Sequence, residues 1–221
     1  MKITKKMAAL AALREANENY AFTQFLARPD GLYATNGKAL ARHDWPNDDR
    51  PDRDYVLDAA RVLAMVKAHG AADVAALEVP GWGSFPPIAE AVAAHWTPGK
   101  RYVKHEGVNV AALLGVCRTL KAWGETFPEE GYAARWTPGP KGLDVEIGLG
   151  AAFRVERLGG VEAPMLGLDP AQLSRLLKAS VADVVALYWP TGRASAKRPL
   201  LVEAPGFLGI LMPLATWSAA A

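Results

Sequence analysis

Cysteine is almost absent: Cys117 is alone among 221 residues, so no intramolecular disulfide can staple the fold. A chain of this kind suits a reducing interior. The four histidines, His43, His69, His95 and His105, show no i,i+4 pairing and have no cysteine partners, which argues against a zinc site. No Walker loop is present. "GLGAAF" (148–153) begins like a dinucleotide loop but lacks the third glycine, and a strand rather than a helix is expected to follow. No apolar run is long enough to cross a bilayer. The N-terminal run 7–13 resembles a signal segment only briefly, because it is short and meets Arg14 and Glu15. A net charge of +2 is too small to mark a dedicated polyanion binder and too balanced for disorder. These absences point to a soluble cytoplasmic protein with no disulfide, no cofactor and no metal. No acid–base or metal constellation marks an enzyme.

What is present is a repeat. "LDAARVLAMVKAH" (57–69) returns as "LDPAQLSRLLKAS" (168–180), 111 positions later. After a one-residue gap, "AADVAAL" (71–77) meets "VADVVAL" (181–187), identical at five of seven positions. "EVPGW" (78–82) then answers "EAPGF" (203–207). An internal period of this size signals duplicated domains rather than a solenoid.

Each copy opens on a specified helix. Asp58 and Asp169 are N-cap residues, and Pro170 suits the first helical position. Leu168 and Leu173 hold the staple positions, with Gln172 completing a box-like pattern. Val62, Met65 and Val66 share one face, as do Leu173, Leu176 and Leu177. The segment after each helix reads as strand. An earlier helix pairs up as well, "MAALAAL" (7–13) with "VAALLGV" (110–116), capped by Thr4 and Asn109, with Gly124 a stop for the second. "RPDG" (28–31), "TNG" (35–37), "TPGP" (137–140) and "PTG" (190–192) mark turns. The expected architecture is α+β: two tandem units, residues 1–98 and 99–221, each with two helices packed on an antiparallel sheet. The second unit carries an extra hairpin, "YWPTGRASAKRPLLV" (188–202). Segments 74–77 and 143–150 are expected to be edge strands.

Helix, strands, helix, strands, given twice, is also the layout of the DNA sliding clamps, and local motifs agree. "YATNGKALA" (33–41) resembles the bacterial clamp signature "ATDGHRLA". "GSFPPI" (83–88) resembles "GxFPDY", and "GILMPLA" (209–215) resembles the terminal "VVMPMR". The helix at 168–179 is similar to that of the last clamp domain. The chain matches the middle and last domains of a bacterial clamp. Its length is that of the two-domain clamps of phages, archaea and eukaryotes, which close as trimers.

The resemblance implies a non-enzymatic processivity factor of DNA replication. It would encircle duplex DNA without sequence preference and hold a polymerase or clamp-loader peptide in an apolar pocket. The basic helix residues Lys6, Arg14, Arg61, Lys67, Arg118, Lys121, Arg175 and Lys178 would face the phosphates. The four expected helices, 5–19, 58–69, 109–123 and 169–179, together carry +5, which leaves −3 for the rest. Ordinary solvated helix faces would carry such charge equally, so the motifs bear the resemblance. The pocket would be walled by Thr35, Gly37, Lys38, Leu40, Pro86, Ile210, Leu211, Met212, Pro213 and Leu214. Lys38, Ala39 and Ala215 replace the family's usual His, Arg and Arg, which alters the pocket's polar edges. A second reading is a degenerate clamp scaffold, a monomeric interaction protein of phage type that competes for clamp partners.

Four further features read as structure. Cys117, beside Leu113 and Leu120 on an apolar helix face, is a core residue rather than a nucleophile. Trp96, Trp136 and Trp189 precede proline-containing turns and read as turn packing. His69 sits at a helix end, where capping is its expected role, and Asp48 and Asp49 sit in a solvated loop.

Overall fold

The computed structural model describes residues 1–14, 24–46, 50–79, 101–126, 134–139, 142–146, 152–156, 163–192 and 197–214. The first half contributes β1 (Lys2–Thr4), α1 (Lys5–Ala8) with a 3₁₀ turn (Ala9–Leu13), β2 (Gln24–Arg28), β3 (Gly31–Thr35) and β4 (Ala39–His43). It continues with β5 (Tyr55–Asp58), α2 (Ala59–His69), β6 (Ala71–Asp73) and a 3₁₀ turn (Ala75–Leu77). The second half repeats this order: β7 (Tyr102–Asn109), α3 (Val110–Thr126), β8 (Ala134–Gly139), β9 (Gly142–Glu146) and β10 (Ala152–Glu156). It ends with β11 (Leu166–Leu168), α4 (Pro170–Ser180), β12 (Val184–Pro190), β13 (Leu200–Ala204) and β14 (Phe207–Leu211). The fold is mixed α+β with antiparallel sheets. The boundary expected near residue 98 lies outside the described residues.

The caps are those the sequence specifies. Asp58 Oδ1 accepts the amides of Ala60 (2.7 Å) and Arg61 (3.2 Å). Asp169 Oδ1 accepts those of Ala171 (2.8 Å) and Gln172 (3.3 Å). Asn109 Oδ1 takes the Ala112 amide at 2.9 Å, and Thr4 Oγ1 takes that of Met7 at 3.4 Å. Four expectations change. The first helix is α-helical only to Ala8, tightens to 3₁₀ through Leu13 and ends at the extended Arg14; residues 15–19 of the expected helix lie outside the described residues. The helix from Val110 runs through Gly124 to Thr126, because Gly124 is buried in its sheet-facing stripe and is not in a terminating position. Residues 74–77 are not a strand, since Asp73 Oδ1 caps the Ala75 amide at 3.1 Å and turns the chain into 3₁₀ geometry. β9 is not an edge, because it lies between β8 and β10.

Eight strands form one sheet, in the order β5-β2-β3-β4-β14-β13-β12-β7, so four strands from each half join at β4–β14. A four-stranded sheet, β10-β9-β8-β11, and a two-stranded one, β1-β6, complete the fold. The helices form a layer over the large sheet's inner face: α2 touches α1, the following 3₁₀ turn touches α4, and α4 touches α3. The core between layers includes Phe25, Leu57, Leu113, Cys117, Leu173, Leu176, Leu177, Phe207 and Leu211. Burial pushes the Cys117 thiol up to about 12, as suits an inert core residue. Trp136 and Trp189 correct the turn-packing reading: both are strand residues, buried in this core, and Trp189 Nε1 donates to the Pro164 carbonyl at 2.6 Å.

The β4–β14 seam pairs Ala39 with Leu211, Leu40 with Ile210, Ala41 with Gly209, Arg42 with Leu208 and His43 with Phe207. Small inner residues, Ala39, Ala41 and Gly209, let α4 approach. A Cβ on Gly209 would lie 2.7 Å from Leu176 Cδ1. At the far end, buried His43 places Nδ1 3.1 Å from the Gly206 carbonyl and Nε2 2.9 Å from that of Ala179. Desolvation lowers the His43 pKa, against the two carbonyls, which raise it; Lys6 lowers it further and Asp44 opposes.

Gly209→Ala should destabilise the fold by about 1–3 kcal/mol through overpacking against Leu176, read as a lower urea midpoint at unchanged slope. The folded protein holds His43 neutral below its ordinary value of 6.5. Its contribution is therefore fully present above about pH 6.5 and is lost as pH falls and the unfolded state binds the proton. Urea unfolding between pH 5 and 8 should show a decline on the acid side that is shallower in His43→Gln.

Candidate functional site

The β3–β4 hairpin turns at Asn36-Gly37, with Gly37 at φ +83°, a left-handed conformation that glycine adopts without strain. Two short side chains organise it. Thr35 Oγ1 accepts the Gly37 amide (3.1 Å) and donates to the Ala39 carbonyl (2.8 Å). Asn36 Oδ1 accepts the amides of Lys38 (3.1 Å) and Ala39 (2.9 Å). Beyond the seam, the Met212 amide donates to the Lys38 carbonyl at 2.9 Å, and the Leu214 amide donates to that of Gly167, also at 2.9 Å. Hairpin and terminal segment, about 175 residues apart in sequence, are thus one structural unit.

Strand alternation sorts the expected pocket residues. Leu40 and Ile210 point to the outer face, away from the helices, and join a cluster separate from the main core. Thr35 is buried, Gly37 and Lys38 are exposed, and Pro213 and Leu214 are half-buried. Met212 is 40% exposed, an apolar side chain open to solvent beside this cluster. Leu211 points the other way, into the core beneath the helices, so it cannot wall an outer pocket. Pro86 lies outside the described residues.

Sequence reasoning missed Leu201, Leu26, Tyr33, Tyr102 and Tyr188, which belong to or pack on the outer cluster. Leu201 stands opposite Ile210, which stands opposite Leu40. The signal for Leu201 was a period-two pattern in "LLVEA", but its meaning needs the register. Polar edges flank the cluster. Tyr33 Oη donates to Asp30 at 2.6 Å, and burial, then Asp30, pushes its phenol up to about 12. Arg42 sits 2.9 Å from Asp44 and 3.8 Å from Asp30. Lys104 is 2.6 Å from Glu106 and lies over the Tyr188 ring at 5.5 Å.

On the opposite face, Arg61, Lys67, Arg118, Lys121 and Lys178 are exposed on the sides of their helices turned from the sheet, and Arg175 is half-buried. Lys121 has Glu125 one turn on at 3.6 Å. Two expected members differ. Arg14 lies past the 3₁₀ turn as its half-buried cap, so it is not on a helix face. Lys6 donates to the Pro205 carbonyl at 3.0 Å, which engages it across the two halves.

No protein-family model and no curated protein matches the chain. Solved structures do match. The Helicobacter pylori beta clamp bound to a DNA ligase peptide superposes with TM-score 0.70 at 12% identity, over 95% of this chain and 62% of that one. The Streptococcus pneumoniae DNA polymerase III beta chain gives 0.71 and 12%, over 97% and 64%. The Borrelia burgdorferi DNA polymerase III beta subunit gives 0.69 and 12%, over 97% and 64%. The chain thus has the sliding-clamp fold and spans less than two thirds of the length of these clamps.

Proposed function

We propose that this chain is a sliding-clamp protein of DNA replication, without enzymatic activity, that encircles duplex DNA and tethers partners through short peptides. The observation that carries the reading is the seam: it gathers Leu40, Ile210 and Leu201 on the outer face and leaves Met212 open beside them. The Helicobacter pylori clamp of similar fold is bound to a DNA ligase peptide. A Met- and Leu-rich wall can repack around varied partner side chains. The basic side chains on the helix layer supply a sequence-independent attraction to phosphates. Residues 1–98 and 99–221 act as the two clamp units. Three such chains, joined head to tail, would close a ring of six.

A short peptide with Gln followed by Leu and Phe should bind with micromolar affinity. It buries a few apolar side chains, each worth about 1.5–3 kcal/mol before ordering costs. In titration calorimetry, Met212→Ala should weaken binding roughly tenfold by truncating a wall, and Leu40→Asp should abolish it by placing a charge in a dry site. Absence of heat with folded wild-type protein at high micromolar peptide would sink the pocket.

Binding to linear duplex should be weak and fall steeply with salt. Replacing Arg118, Lys121, Arg175 and Lys178 by Ala should lower retention on circular DNA while leaving the thermal midpoint nearly unchanged. Light scattering should report a trimer. A monomer at high micromolar concentration that still binds the peptide would favour the competitor reading instead.

A further inference from the structure

The expected pocket hairpin is held from behind. Asn36 Nδ2 donates to Gln172 Oε1 at 2.6 Å, and both residues are buried, at 4% and 3% exposure. Asn36 belongs to the first half and Gln172 to the first turn of α4 in the second, 136 positions away. The same Asn36 side chain fixes the hairpin turn through its Oδ1, so its orientation sets the amides of Lys38 and Ala39. Those residues are tied onward: the Lys38 carbonyl holds the Met212 amide, and the Leu214 amide is held by Gly167 in β11, which leads through Asp169 into α4. The hydrogen bonds close a loop: α4 to hairpin, hairpin to terminal segment, terminal segment to β11, and β11 back to α4.

We infer that Gln172 is a positioning residue for the peptide pocket, acting through Asn36 to fix the Thr35–Leu40 wall against the Met212 segment. This rests on the pocket reading given above. Gln172 lies on the helix side of the sheet, in a helix packed on the inner face of β4 and β14, while Leu40 and Ile210 point to the outer face. Its effect therefore passes through the turn and not through contact with peptide. Removing its oxygen leaves the Asn36 amide a buried donor without this acceptor, which favours a rotated Asn36 and an open turn.

The test uses three full-length proteins: wild type, Gln172→Met, which keeps the side-chain length and removes the acceptor, and Gln172→Glu, which keeps an acceptor oxygen. Amide hydrogen exchange is read at Lys38 and Ala39, with Val185 in β12 as the reference for global opening. Affinity is read with the Gln-, Leu- and Phe-containing peptide. Gln172→Met should speed exchange at Lys38 and Ala39 about tenfold with Val185 unchanged, and should weaken the peptide by a similar factor. Gln172→Glu should restore both. Unchanged exchange at Lys38 and Ala39 overturns the inference, as does equal speeding at Val185, which marks loss of global stability. A wild-type protein that binds no peptide overturns the pocket reading and Gln172's role in it. Fast exchange in Gln172→Met then identifies the contact as a latch of the fold alone.

Discussion

Five residue pairs between β4 and β14 make one sheet of two halves, and most of what the molecule presents is arranged by that ladder. Its backbone bonds are each worth only about 1 kcal/mol net. Its consequence lies in the two faces it creates. Inward, Ala39, Ala41 and Gly209 form a shallow strip on which Leu176 and its neighbours in α4 sit, with Phe207 and Leu211 beside them. Outward, the same strands present Leu40 and Ile210. A shift of one residue in register would exchange these sets, placing leucine and isoleucine under the helix and alanine and glycine at the surface. The size pattern on the inner face therefore fixes the composition of the outer one.

The helix layer shows how local chemistry leaves a net charge. Asp58 and Asp169 spend their carboxylates on the first-turn amides of α2 and α4. Past those caps, the exposed sides of α2, α3 and α4 carry Arg61, Lys67, Arg118, Lys121 and Lys178 against Glu125, and Arg175 is half-buried. Such charges are screened within about 8 Å at physiological salt, so they act on a polyanion held close and not on one at a distance.

The duplicated segments carry a lesson in context. "ADV-AL" occurs in both halves, yet after Asp73 it forms a 3₁₀ turn and after Asp183 it forms β12. Asp73 caps the Ala75 amide, and Ala75 and Ala76 are poor strand formers. In the second half, Val185 replaces one alanine, and β12 has ladders on both sides, to β7 and to β13. Strand pairing, not the shared letters, decides between the two outcomes.

The sequence alone determined whatever is settled within a turn or two of chain. Aspartate and asparagine caps, the Asn36-Gly37 hairpin, the leucine face of α4 and the internal period follow from local sterics and hydrogen bonding, and a reader of the letters reaches them. It also placed Leu40, Ile210 and Met212 in one expected site through motif resemblance. Only the tertiary structure decided the rest. That Leu211 turns inward, that Leu201 joins Leu40 through Ile210, that Asn36 meets Gln172, and that Lys6 leaves the basic face all depend on strand register and on how the two halves dock across the seam. The contacts of Leu40 with Ile210, Asn36 with Gln172 and Lys6 with Pro205 each join residues more than a hundred positions apart. No local propensity encodes them, because they are set by which surfaces remain to be buried once the elements have formed.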